Sequence, residues 1–552
     1  MTEVRPGLGI VADRQARWGV PLAVLVAGMF MSILDVTIVN VAIPTIQNDF
    51  GTTVEDVQWV ANAYTLALGV VVPLSGWLGD RFGHGRVYIL SVLGFALGSA
   101  LCGISWDLNS LVVFRIVQAI PGGIIPVITL AMVYRIVPRE KIGTAMGMYG
   151  LGIVFAPAVG PTLGGYLVEY VDWRLIFFIN VPIGVLGAVA AVLALPSFPP
   201  GRAGRFDVWG FLAVASGLFA LLLALSEGES WGWASYRVVI LLIYSALSLA
   251  LFVVIELEVD EPLLDVRIFR HWQFTNSLLL ISLMSVALFS GLFYVSLMLQ
   301  QAQGLGAFET GLVMLPQALA TAVTMPIAGR LYDRLGPRLP AVVGLILVAV
   351  GTYLMTDLRV ETPREHIMWL LVLRGFGMGL AMMPIMTGGL AAVPPHLVSR
   401  AGAFNNVVQR TSAALGVAVL TAMLTGHQAQ MMADRGALVP ATTAPPALGS
   451  PGTPSLLGLY AWYQQTNLQV YVAVLDEIFL VTAVISVLGV LGALFLRSSV
   501  RAAPGPPAAP AEPAPAEASI PSPRPAPDAG PSLRAQPAAV GADGQESRRP
   551  GG

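Results

Sequence analysis

The sequence predicts an all-α membrane protein, with fourteen spanning helices arranged as two six-helix bundles and two further helices inserted between them. Three observations carry this. Of 552 residues, 56% are hydrophobic and 11% charged, against about 25% charged in soluble domains. The apolar residues gather into runs of roughly 20, the length that crosses a hydrocarbon core. The early and late parts of the apolar region also carry matching short motifs.

The runs fall near residues 18–44, 56–78, 87–106, 108–134, 142–168, 174–195, 207–226, 236–256, 273–299, 309–330, 339–357, 366–392, 401–426 and 472–496. An even count puts both termini on one side, and the Lys/Arg bias says which. Eighteen basic residues, among them Arg14, Arg17, Arg86, Arg135, Lys141, Arg205 and Arg400, lie on the side of the N-terminus. Only Arg174, Arg237, Arg359, Arg364 and Arg435 lie opposite. Both termini are therefore expected in the cytoplasm, and the protein in the cell (plasma or inner) membrane. The first run is long enough to remain as a helix, so no cleaved signal peptide is expected.

The expected organisation is a cytoplasmic N-terminus (1–17), a first bundle (18–195), the inserted pair (207–256) and an amphipathic cytoplasmic linker (258–272). A second bundle (273–496) follows, with an outer loop at 427–470 and a disordered Pro/Ala-rich tail at 500–552, which has too few apolar side chains for a core. Asp476 and Glu477 then open the last helix, where acids favour its N-terminus.

Other function classes are disfavoured. A net charge of −2 argues against a nucleic-acid partner, and the single Cys102 permits no intramolecular disulfide or CxxC site. None of the five histidines has metal-ligand spacing with another. No catalytic triad or Walker motif is present, so neither a metal, a cofactor nor an enzymatic activity is expected.

The repeat is specific. "GWLGDRFGHGR" (76–86) matches "GRLYDRLGPR" (329–338), pairing Gly76, Asp80, Arg81 and Gly83 with Gly329, Asp333, Arg334 and Gly336 at a constant offset of 253. "FRIVQAIPGG" (114–123) echoes "LRGFGMGL" (373–380), pairing Arg115 with Arg374 at an offset of 259. Parallel six-helix repeats are a transporter plan with the substrate site near the midplane.

In order along the chain stand "LDVTIVNVAIP" (34–44), "VQWVANAYTLALGVVVPLSGWLGDRFG" (57–83), "GLGIVFAPAVGPTLGG" (150–165) and "WRLIFFINVPIG" (173–184). Together they make residues 18–500 resemble the major facilitator superfamily, specifically its fourteen-helix drug:proton antiporters of the EmrB/QacA type. Two motifs depart from the family pattern: His84 and Gly85 replace basic residues in one, and Ala119 replaces Gly after Gln118 in the other. The resemblance implies the major facilitator fold and a proton-coupled exporter of hydrophobic or cationic drugs, a multidrug efflux and antibiotic-resistance activity. Its partners would be small-molecule drugs, protons and the lipid bilayer, with a periplasmic adaptor left open. The alternative is a dedicated exporter of one endogenous metabolite, antibiotic or lipid.

The resemblance also implies roles for particular residues. The loop with Gly76, Asp80, Arg81 and Gly83, and its mate with Asp333 and Arg334, would latch the two bundles; the plainer reading is a solvated turn. Gly152, Ala156, Gly160 and Gly164 fall four apart on one face of the fifth helix, which lets another helix approach closely. With Pro161 and Gly165 they form the motif associated with exporters in this superfamily. Arg115 needs a buried carboxylate or carbonyl partner or must snorkel; the family analogy gives it a part in proton coupling. Arg374 and Arg410 are read as structural pairs. Met382 and Met386, one turn apart on the twelfth helix, are candidate drug contacts or plain packing.

Asp35 lies within the first apolar run, where a carboxylate costs roughly 2.5–3.5 kcal/mol. It is either a protonated acid bridging a helix contact or the group that alternates between proton and cationic drug. The ninth helix, its repeat mate, has no Asp, Glu, Lys, Arg or His after Trp272, so the architecture does not require an acid there.

Overall fold

A computed structural model describes residues 18–196, 204–394, 397–437 and 456–496. The expectations for 1–17 and 500–552 lie outside these residues. Among the described residues there are helices and no strands. In lipid a helix satisfies its own backbone groups, so each apolar run becomes one.

The helices of the first half are α1 (Gly19–Phe50), α2 (Glu55–Val71 continued by Leu74–Phe82), α3 (His84–Gly103), α4 (Leu108–Ile136), α5 (Ile142–Tyr170) and α6 (Leu175–Ala194). The inserted pair is α7 (Val208–Trp231) and α8 (Tyr236–Glu258). The second half holds α9 (Trp272–Leu297), α10 (Ala307–Leu335), α11 (Arg338–Leu354), α12 (Arg364–Ala391), α13 (Val398–Ala437) and α14 (Leu456–Leu494). Among the described residues thirteen segments are long and apolar enough to cross a membrane, and the bent α2 makes fourteen.

Local chemistry explains the breaks. α2 turns by 57° between Val71 and Leu74, where Pro73 has no N–H to continue the ladder. α4 begins in a reciprocal cap: Asp107 accepts from the Ser110 amide at 2.7 Å, and Ser110 Oγ accepts from the Asp107 amide at 3.1 Å. The repeated loops share one geometry, with Gly83 at φ 88° and Gly336 at φ 77°. A side chain would be strained at either position.

The halves meet along α5 and α10. Added methyl groups would lie 2.6 Å from the Met325 carbonyl at Gly147 and 3.5 Å from Phe308 Cα at Gly165, so the helices approach at backbone distance over most of their length. α7 docks on the first half through Asn62 Nδ2, which donates to Glu227 Oε1 at 2.9 Å, and it also packs against α13. Leu90, Leu97, Leu186, Leu193, Ile240 and Leu247 point outward as an apolar surface suited to lipid.

The structure corrects three expectations. The described residues of 427–470 are helical, not loop: α13 continues to Ala437 and α14 begins at Leu456, and Gln428 bonds Asn467 at 3.0 Å across them. Polar residues end the apolar run without ending the helix. Asp476 and Glu477 consequently sit well inside α14, where Glu477 meets His427 at 2.6 Å rather than capping a helix start. In the 258–272 linker, Leu263, Leu264 and Ile268 are buried against the helices instead of facing lipid. The Leu264 amide donates to Glu256 Oε1 at 3.0 Å, and Phe269 meets Phe404 at 5.0 Å between ring centroids.

Candidate functional site

Asp35 is fully buried midway along α1. Arg115 Nη1 of α4 pairs with its Oδ2. Gln118 Nε2 and Asn180 Nδ2 each donate to its Oδ1 at 3.0 Å. Every one of these partners is a donor, the complement of a carboxylate, which accepts only. A proton on Asp35 would therefore have to displace Arg115 or an amide. The surrounding groups fix the donors. Gln118 Oε1 accepts from Arg115 at 2.8 Å, Val60 O accepts from Arg115 Nε at 3.3 Å, and Asn180 also bonds Ser99 Oγ at 3.1 Å. The guanidinium lies 3.8 Å from the ring centre of Tyr64. Asp35 and Arg115, expected separately, thus form one buried cluster joining α1, α2, α4 and α6.

The mate of Arg115 differs. Arg374 is fully buried, donates to the Ala287 carbonyl of α9, and leaves Nε and Nη1 without a partner. Gly291 on α9 supplies the space its guanidinium occupies. Among the described residues no carboxylate pairs with Arg374 as Asp35 does with Arg115.

The small residues of α5 divide between two faces. Gly152 looks onto Met29 and Val26, Gly160 onto Thr37 and Ile38, and Gly164 onto Ile38, so this stripe packs α1 beside Asp35. Ala156 is fully buried. Gly165 faces Phe308 of α10 instead. Pro157 and Pro161 lie inside the helix. A Gly160→Leu variant would drive carbon atoms into Thr37 and the Ile38 amide. It is expected to lose at least about 1–3 kcal/mol of stability and most of its export. Thermal unfolding and drug efflux from the same preparation check this.

At the basic face the repeated loops take different partners. Asp333 accepts from the Gly143 amide at 2.9 Å, the Thr144 amide at 3.1 Å and Thr144 Oγ1 at 3.0 Å, bridging the second half to the start of α5. A carboxylate is favoured at a helix N-terminus. Asp80 instead meets Arg135 at 3.4 Å and His84 at 3.9 Å, within its own half. The first-half loop crosses over through His84, whose Nε2 lies 3.3 Å from Ser399 Oγ, while Gly76 faces Ser399 and Arg400. Arg81 and Arg334 are exposed. Asp333→Ala is expected to weaken this closure by about 1 kcal/mol, roughly fivefold in the open-to-closed ratio, and more than Asp80→Asn does. Transport rates measured beside drug affinities test it: affinity should stay while the rate changes.

Between the halves lies a narrow cleft of about 20 Å³, lined by Tyr149, Ile281, Met284, Ser285, Met382 and Met386 and by Asn405, Asn406 and Gln409 of α13. Met382 and Met386 do face a common cavity. A drug-sized ligand needs several hundred Å³, so binding requires the halves to part. Asp35 is not among the lining residues.

A family model described as Major Facilitator Superfamily matches residues 25–417. The chain belongs to the major facilitator superfamily. It is 33% identical over 426 residues, 76% of its length and 78% of the relative's, to the "Tetracenomycin C resistance and export protein" of Streptomyces glaucescens. It is 32% identical over 406 residues, covering 73% of the chain and 75% of the relative, to the "Multidrug resistance protein B homolog" of Mycobacterium tuberculosis (strain ATCC 25618 / H37Rv). Among solved structures it resembles a bacterial homologue of the human lysosomal transporter Spinster, with a TM-score of 0.50 and 17% identity over 86% of this chain and 95% of that one. That likeness concerns the fold alone. The chain is a membrane transporter and not an enzyme.

The cluster and the cleft also contain polar residues that sequence reasoning passed over. Tyr64, Asn180, Asn405 and Gln409 are polar residues inside apolar runs. The signal was there: an amide in a spanning helix calls for a partner just as a charge does.

Proposed function

We propose that this protein is a proton-coupled secondary exporter of drug-like small molecules, with Asp35 as the group that carries the proton. One observation supports this best: the only membrane-buried acid of α1 is held solely by donors from its neighbours α4 and α6, so taking up a proton must rearrange the cluster. α1 packs on α5, and α5 packs on α10 across the halves, which offers a route from protonation to their relative movement. An inward proton contributes about 2.3 kcal/mol per 100 mV, enough to drive uphill export. The basic face is read as cytoplasmic, with both termini on that side of the cell membrane, and the Asp333 bridge as a closure of the cytoplasmic side. The relatives' names, one for a single antibiotic and one for many drugs, fit both a dedicated and a broad exporter.

The experiment is efflux from proteoliposomes under an imposed pH gradient. Export should stop when the gradient is collapsed at constant ionic strength. Export that persists undiminished without a gradient would overturn proton coupling.

A further inference from the structure

The cleft between the halves carries chemistry that the Asp35 cluster does not use. Its α13 wall is polar, with Asn405, Asn406 and Gln409 lining it. Arg410 lies four residues beyond Asn406, hence on the same face, one turn further from the basic face. It is half-buried, and its Nε is enclosed without a partner. Among the described residues no carboxylate pairs with it; its charge reaches the phenols of Tyr64 and Tyr149, and Tyr149 lines the cleft. Asn405 is 4% exposed, and neither its amide nitrogen nor its oxygen has a partner. No Asp or Glu lines the cleft. The other two buried cations differ, since Arg115 has Asp35 and Arg374 has a backbone carbonyl.

A guanidinium in a low-dielectric site without a counter-charge is costly, and an incoming anion relieves that cost. A planar fork of donors also matches a carboxylate or sulfonate well. We propose that the opened cavity binds its substrate through an anionic oxygen group held by Arg410, with the Asn405 amide adding a directional hydrogen bond. The apolar body of the substrate lies on Met284, Met382 and Met386, whose thioether chains adapt to varied shapes. The substrate class is therefore an anionic, largely apolar molecule. A cation would meet Arg410 and no opposing acid. This inference rests on the exporter reading and narrows its substrate.

The test is calorimetric binding to the purified full-length protein with three probes. Anilinonaphthalene sulfonate is the anion, N-phenylnaphthylamine has the same rings without the sulfonate, and ethidium is a cation. Wild type should prefer the sulfonate to the neutral probe. Arg410→Gln should weaken sulfonate binding about tenfold or more, the size of a lost charged hydrogen bond, and leave the neutral probe within about twofold. Arg410→Lys should fall between the two. Asn406→Asp, one turn before Arg410 on the same face, supplies Arg410 with an internal partner; it should abolish sulfonate binding and admit ethidium even if Arg410→Gln fails to fold. Sulfonate binding indifferent to both substitutions, or ethidium preferred by wild type, would overturn the proposal. Binding needs no proton gradient, so a failed gradient experiment with intact Arg410-dependent binding sinks the coupling and spares this site. The opposite pair of results spares the exporter and sinks the anion site.

Discussion

Asp35→Asn is expected to abolish proton-driven export from protein that still reaches the membrane. The amide keeps the shape of the side chain and one acceptor oxygen, but it cannot gain or lose the proton. It also turns donor toward donor, because Arg115, Gln118 and Asn180 all present N–H groups to this position. Removing one partner of a buried ion pair costs about 3–5 kcal/mol, so stability must be followed together with transport. Asp35→Asn/Arg115→Gln restores neutrality and should recover much of the lost stability without recovering export. Recovery of both would assign the pair a purely structural part.

Arg115→Ala is expected to have the largest effect on stability. It strips the Asp35 carboxylate of its counter-ion in a fully buried site and empties the space against the Tyr64 ring, 3.8 Å away. The loss should be about 3–5 kcal/mol for the charge, with a cavity cost added. Arg115→Lys keeps the charge but loses the fork that reaches Asp35, Gln118 and Val60 together. It should fold and transport poorly. Unfolding of the purified variants in one detergent, followed by heating, orders them as wild type, then Lys, then Ala.

Much of the fold was legible in the sequence because the bilayer sets one length for every helix. Among the described residues each of the fourteen apolar runs became a span, with Gly83 and Gly336 ending two of them, while the bend at Pro73 within the second run went unread. Polarity was a poorer guide to helix ends: α13 and α14 continue through residues expected as loop, since leaving the apolar layer does not end a helix. Asp35 stood out by its cost alone, and Arg115 by the repeat, yet no local pattern says that the two touch. Their contact depends on the crossing of α1 and α4, which is tertiary information. The repeat also misled in one respect. Asp80 and Asp333 share a motif, but Asp333 reaches across the halves while Asp80 pairs with Arg135 of its own half. Met382 and Met386 were legible as an i, i+4 pair, whereas Arg410 was read as one of a structural pair and Asn405 was passed over, because only the placement of α13 beside the cleft gives them a common site.

The most direct test of Asp35 as the coupled proton carrier is proton release on substrate binding. Purified protein in a weakly buffered solution with a pH indicator is titrated with a substrate chosen from susceptibility profiles of an efflux-deficient host. Wild type should release protons as substrate binds, and the release should disappear in Asp35→Asn while the substrate still binds. Equal release from wild type and Asp35→Asn would contradict the account and place the coupled proton on another group.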